Sequence, residues 1–258
     1  MILNAIEAGF PGDRQSVVLL HGLFGAARNF GALQRSLAGT RRVIALDLRN
    51  HGGSQHAAGM TYVDMAADVL ETLAALDALP CELIGHSMGG KVAMRTALLR
   101  PAAVSHLLVS DIAPVTYAPA SASYAHAMQA LPLEPGLTRA NADAFLTDAV
   151  PDRTVRAFLL QNLALGERPH WRIGLAEIMA GMDDIGGWPD LPSGTVYSGP
   201  TLFVAGARSD YILPEYRRAI RALFPAARFV VVKDAGHWVH ADNPAGFAGV
   251  LEAFLAAR

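Results

Sequence analysis

The chain has a single cysteine, Cys81, in 258 residues, so no disulfide can form within it. Its apolar surroundings at the start of a strand-like run suit a packed thiol. Charge is scarce too: 17% of residues are charged and the net charge is -2. That excludes the basic footprint of a nucleic-acid binder and a polybasic patch for a membrane surface. The first residues lack a basic segment leading into a long apolar one, and no apolar run is long enough to span a bilayer. The expectation is a cytoplasmic protein with neither nucleic acid nor membrane as a partner. Repeats, heptads and charge blocks are absent from the sequence, as are metal-ligand spacings and a phosphate-cradling glycine loop. No cofactor and no metal are implied.

What the chain does have is apolar bulk, at 52% hydrophobic residues, enough for one large α/β domain with or without an insertion. Short apolar runs alternate with helical patterns, the mark of a mainly parallel sheet covered on both faces. Strands are expected at Val17 to Leu20, Arg42 to Leu46, Cys81 to Ile84 and His106 to Ser110. Thr61 to Leu76 has helical apolar spacing, with Thr61 as N-cap and Asp64 at the capping-box position. Helices are also expected at Asn29 to Leu37 and at Lys91 to Leu99. From 114 to about 195 the alternation stops. Prolines are frequent there, no strand stands out, and helical patches fall at 140–150, 154–165 and 171–182. Sheet logic resumes with strands at Thr201 to Ala205 and Arg228 to Val232, and helices at Pro214 to Phe224 and Pro244 to Ala256. The division expected is a core over 1–113, a helical cap over 114–195 and the rest of the core over 196–258.

Gly85-His86-Ser87-Met88-Gly89 lies between a strand-like run and a helix-like one. A serine on so sharp a turn needs small neighbours, and its hydroxyl projects above the sheet edge over a helix N-terminus. Gly-x-Ser-x-Gly alone also marks ordinary turns. Three further features fall where acyl transfer through serine needs them.

A serine hydroxyl near neutral pH needs a base, and the base needs an acid to orient it. His237, in Asp234-Ala235-Gly236-His237-Trp238, follows the last strand and so opens at the same sheet edge as Ser87. His240 is its nearest rival but stands at a helix entry. Two aspartates compete for the acid. Asp111 ends the strand after the serine's helix, and Asp210 follows the next strand; either can instead cap a turn. Oxyanion donors are expected from the backbone of Met88 and from Leu23 or Phe24 in His21-Gly22-Leu23-Phe24-Gly25. The turn from Asp47 to Ser54 reads as structural, with Asp47 and Arg49 bracing the site and His51 outside the chemistry.

Together, His21–Gly25, Asp47–Gly52, Gly85–Lys91, Asp111–Pro114 and Ala235–Ala241 resemble the α/β-hydrolases, and within them the YbfF-type bacterial esterases and the ABHD11-like hydrolases. The resemblance covers nearly the whole chain. It implies an α/β-hydrolase fold: a mostly parallel central sheet, helices on both faces and an inserted helical cap. It implies a serine carboxylesterase or thioesterase acting on a small acyl ester or thioester. In that group the aspartate of Asp-Ile-Ala-Pro is the triad member, which ranks Asp111 above Asp210. The chain departs from the group by carrying Asp210 as well. Two other readings use the same residues: a cofactor-free haloperoxidase or perhydrolase, and a non-catalytic ligand-binding relative of the fold. Alanine-rich cap helices with few charges suggest an apolar acyl slot for short and medium chains.

Overall fold

The computed structural model describes residues 1–12, 14–117 and 120–256, and only the backbone of Ala120 and Ser121. Seven strands form one sheet: β1 (Ala5–Ala8), β2 (Val17–Leu20), β3 (Val43–Leu46), β4 (Cys81–His86), β5 (Val104–Ser110), β8 (Thr201–Gly206) and β9 (Ala227–Val232). Their order is β1-β3-β2-β4-β5-β8-β9, and every pairing is parallel except β1 with β3. The strand β1 was not expected. Its four residues are half or fully exposed, so they lack the apolar run that marks the inner strands.

Side chains alternate between two cores. Val18 and Leu20 join Leu83, Val92 and Leu107 on one face; Val17 and Leu19 join Ile84, Leu108 and Val204 on the other. Each fully buried side chain of this kind contributes about 1.5–3 kcal/mol before its entropy cost is counted. The first face is covered by α2 (Tyr62–Ala75), α3 (Met88–Leu99) and α9 (Arg217–Leu223), the second by α1 (Gly31–Leu37) and α11 (Pro244–Ala256). Helix α2 begins as expected: the Asp64 N–H donates to the Thr61 hydroxyl at 3.1 Å. The Asp64 carboxylate in turn accepts from that hydroxyl at 2.6 Å instead of reaching back to the backbone. A cap of this type contributes about 1 kcal/mol.

Between β5 and β8 the chain leaves the sheet. Described there are α4 (Ala120–Ala130), α5 (Arg139–Leu146), α6 (Arg153–Leu160), α7 (Leu175–Ala180) and α8 (Met182–Gly186). Residues 118 and 119 of the expected cap lie outside the described residues. The helical patches were read too long. Where 154–165 was expected to be helical throughout, α6 ends at Leu160 and a two-residue ribbon follows, β6 (Leu163–Ala164) against β7 (His170–Trp171). The ribbon corrects the expectation of no strand in this segment. It is too short to show a period of two in sequence. No helix among the described residues is long and apolar enough to cross a membrane.

In a doubly wound sheet of this kind, functional side chains gather on loops at the carboxyl ends of the strands. His21 follows β2, Asp47 follows β3, Ser87 follows β4, Asp111 follows β5 and His237 follows β9.

Candidate active site

Ser87 sits between β4 and α3 with φ 52° and ψ -122°, a conformation that costs an L-residue about 1–3 kcal/mol. The surroundings hold it there. Its N–H donates to the Ser110 carbonyl at 2.9 Å, and its own carbonyl accepts from Gly90 and Lys91 at 2.7 and 3.1 Å. Gly85 is required by contact: a Cβ there would collide with the backbone carbonyl of Gly89. The turn is thus closed by backbone on both sides, and the hydroxyl is left free to project.

What it meets is His237, on the turn between β9 and the short helix α10 (Val239–Asp242). The Ser87 Oγ lies 3.0 Å from Nε2 of His237, and the opposite ring nitrogen, Nδ1, lies 2.8 Å from Oδ2 of Asp111. The Asp111 side chain is fully buried, while that of His237 is 24% exposed. Asp111 also accepts from the Gly206 N–H at 3.0 Å and from the Ser209 hydroxyl. The serine, base and first-ranked acid are therefore brought into one hydrogen-bonded line.

Asp210 is not part of that line. Its side chain is exposed and makes no hydrogen bond or ion pair with a described residue. The loop after β8 still serves the line, through Ser209 and Gly206 rather than through its own acid. Tyr211, next along that loop, stacks on the His237 ring at 4.0 Å and 27°. Neither Ser209 nor Tyr211 was singled out from the sequence. Their adjacency to a candidate acid was the available signal.

The loop from His21 to Gly25 lies against the serine: a Cβ on Gly22 would stand 3.2 Å from the Ser87 Cβ. The three candidate donors differ in their bonding. Phe24, with φ 61°, donates its N–H to Nε2 of His51 at 3.1 Å, so that N–H is already committed. The N–H groups of Leu23 and Met88 make no hydrogen bond to another described residue. His51 is fully buried, and its Nδ1–H donates to the Arg49 carbonyl at 2.8 Å. Burial pushes its pKa down to about 3, so it is the neutral ring that accepts from Phe24. The Phe24 carbonyl accepts at 2.8 Å from Asn162, a buried residue beside β6. His21 anchors the loop's start, donating to the Gly22 carbonyl and accepting from the Leu48 N–H at 2.8 and 3.0 Å. Asp47 braces the continuation, accepting from the N–H groups of Ala27 and Gly53 at 2.6 and 2.8 Å. Arg49 points elsewhere, to Asp68 on α2 at 2.6 Å.

Two more histidines back the base. His86 donates from Nε2 to the His237 carbonyl at 2.8 Å, and its ring lies 4.9 Å from those of His237 and His240. Burial holds His86 well below the ordinary histidine range and His240 down at about 4. Both stay neutral near pH 7, so neither places a positive charge beside His237.

Two cavities meet at Ser87 and share Leu23 and Tyr211. The larger, of about 220 Å³, includes His237, Trp238 and Phe30 from the sheet loops and Tyr124, Val155, Phe158 and Leu159 from the insertion. The smaller, of about 60 Å³, is lined by Met88, Ile112, Tyr62, Tyr117, Ile185 and Lys91 among others.

Known proteins place this geometry in context. The model of the alpha/beta hydrolase family matches residues 17–250. The chain is 41% identical to the sn-1-specific diacylglycerol lipase ABHD11 of Mus musculus, over 93% of this chain and 81% of that one. It is 35% identical to esterase YbfF of Escherichia coli (strain K12), over 94% of each. A solved marine microorganism esterase superposes with a TM-score of 0.93 at 31% identity, covering 98% of this chain and 99% of its own. A serine on its elbow, a histidine and a buried aspartate from three strand ends, and this near full-length likeness agree: the chain belongs to the alpha/beta hydrolase family.

Proposed function

We propose that this hydrolase cleaves carboxylic esters or thioesters through an acyl-serine at Ser87, with His237 as base and Asp111 as the acid that orients it. One observation carries the reading: the continuous line Ser87 Oγ, His237 and Asp111, at 3.0 and 2.8 Å. Relatives named as an esterase and a diacylglycerol lipase support ester substrates.

The serine hydroxyl gives its proton to Nε2 of His237 as Oγ attacks the acyl carbon. Negative charge then builds on the former carbonyl oxygen, where the N–H groups of Met88 and Leu23 are the donors assigned to it. The tetrahedral adduct collapses, and His237 returns the proton to the departing alcohol or thiol. Water attacks the acyl-serine by the same route, and free acid leaves. Phe24 is assigned a supporting role, because its N–H is spent on His51. Asp210 is assigned none in the proton relay. The segment between β5 and β8 acts as a cap, since four of its side chains line the larger cavity.

Labelling with a fluorophosphonate tests the reading, run beside turnover of matched esters and thioesters. Wild type should label, and Ser87→Ala should neither label nor turn over, with a loss of about 10⁶ in kcat. Covalent labelling that persists in Ser87→Ala would move the nucleophile elsewhere.

A further inference from the structure

Lys91 is almost fully buried, at 1% exposure, yet no carboxylate pairs with it among the described residues. It stands one helical turn after Ser87, about 5–6 Å along α3. Its ammonium donates to the Gly186 and Gly187 carbonyls at 3.0 and 2.5 Å. The ring centroids of Tyr62 and Tyr117 lie 5.4 and 5.0 Å away. An ammonium has three donors, and the two carbonyls use two. A buried cation without a counter-charge is costly, and here it lines a cavity that opens on Ser87.

Which arm of an ester enters that cavity follows from proton transfer. The departing oxygen or sulfur has to lie within reach of Nε2 of His237 to receive its proton. His237 lines the larger cavity and not the smaller one. The leaving group therefore occupies the larger, aromatic cavity, and the acyl arm turns toward Met88 and Lys91. At about 60 Å³ the smaller cavity is under a third the size of the larger, at about 220 Å³, so it suits the shorter arm.

We propose that the smaller cavity is the acyl subsite and that Lys91 forms its floor, selecting a short acyl group whose far end carries an oxygen acceptor, best a carboxylate. The proposal rests on the acyl-serine reading. It replaces the apolar acyl slot expected from the cap's composition; the apolar slot belongs to the leaving group instead. Burial holds the Lys91 ammonium down at about 7, and a carboxylate beside it would keep the proton in place.

The test uses a pair of esters with the same alcohol and acyl arms of the same shape. Monoethyl succinate ends in a carboxylate where ethyl 4-methylpentanoate ends in two methyl groups. Wild type should favour the succinate ester in kcat/KM by about tenfold or more, the scale of one charge-assisted hydrogen bond. In Lys91→Met that ratio should fall to one or below. A lysine that merely fastened the cap would lower both substrates together and leave the ratio where it was, which would overturn the assignment. The wild-type ratio decides even where the variant does not fold: a preference for the methyl-ended ester sinks the proposal. If Ser87 labels and ethyl acetate is hydrolysed while that preference is absent, the subsite alone is wrong. If Ser87 does not label and no ester turns over, the acyl-serine reading fails as well.

Discussion

The sheet loops and the insertion both line the cavities at Ser87, but they contribute different groups. The loops after β2, β4, β5, β8 and β9 supply the hydroxyl, the imidazole, the buried aspartate and the free N–H groups, fixed by backbone bonds to neighbouring strands. The insertion supplies mostly walls: Tyr124, Val155, Phe158 and Leu159 on the larger cavity, Ile185 and Gly186 on the smaller. Several hydrogen bonds cross the division, and those at Phe24 and Lys91 bear on the site. Asn162 holds the Phe24 carbonyl, and the carbonyls of Gly186 and Gly187 receive the Lys91 ammonium. On the proposed reading labour is divided: the core carries proton transfer, and core and insertion together line the cavities that would choose the substrate.

The largest test of that division compares the two aspartates. Asp111→Asn keeps size but can force the wrong imidazole tautomer, with an expected loss of about 10⁴ in kcat. Asp210→Asn, on an exposed side chain, should stay within a few-fold of wild type in the same steady-state assay. A dead Asp210→Asn beside an active Asp111→Asn would reverse the assignment.

A smaller effect separates the two braces on Phe24. Replacing His51 by Phe removes the acceptor that holds the Phe24 N–H, and the loss in kcat should approach the 10²–10³ typical of a missing oxyanion donor, roughly. Gln at the same place can accept again and should restore most of it. Asn162→Ala removes one neutral hydrogen bond from the insertion side and should cost about fivefold to tenfold. Binding of a tetrahedral boronate should weaken in step with kcat, while KM stays nearly level. A rise in KM alone would mean these residues shape the cavity and not the oxyanion site.

The smallest effect is on stability. Lys91 has its pKa lowered by burial, so over the window from about 7 to its ordinary value near 10.5 the unfolded chain binds more protons than the folded one. Its charge costs stability below that window, and the cost fades as pH rises through it. Melting curves of wild type and Lys91→Met should therefore diverge in favour of wild type from pH 7 to 10. A constant gap would mean the ammonium is not desolvated.

How much of this was legible follows the same division. Strands β2, β4 and β5 are apolar runs bounded by turn residues, and Ser87, His237 and Asp111 stand at strand ends, where a parallel sheet gathers function. Sequence order alone left Asp210 open, because a loop's position does not reveal which of its atoms points inward. In the structure Ser209 and Gly206 do so. His51 accepts one backbone N–H, a contact that leaves no mark in spacing. Lys91 lay inside a helix with ordinary periodicity. Its burial depends on Tyr62 and on the insertion, both far away in the chain.

Phe24 is gripped on two sides, its N–H by a core histidine and its carbonyl by an insertion asparagine. This limits how far the molecule is modular. A foreign insertion grafted between β5 and β8 would not simply redecorate the cavity walls. Without an amide where Asn162 now reaches, the graft would leave Phe24 with one anchor in a left-handed backbone conformation. Swapping the insertion would then disturb the loop beside Ser87 as well as the cavity walls.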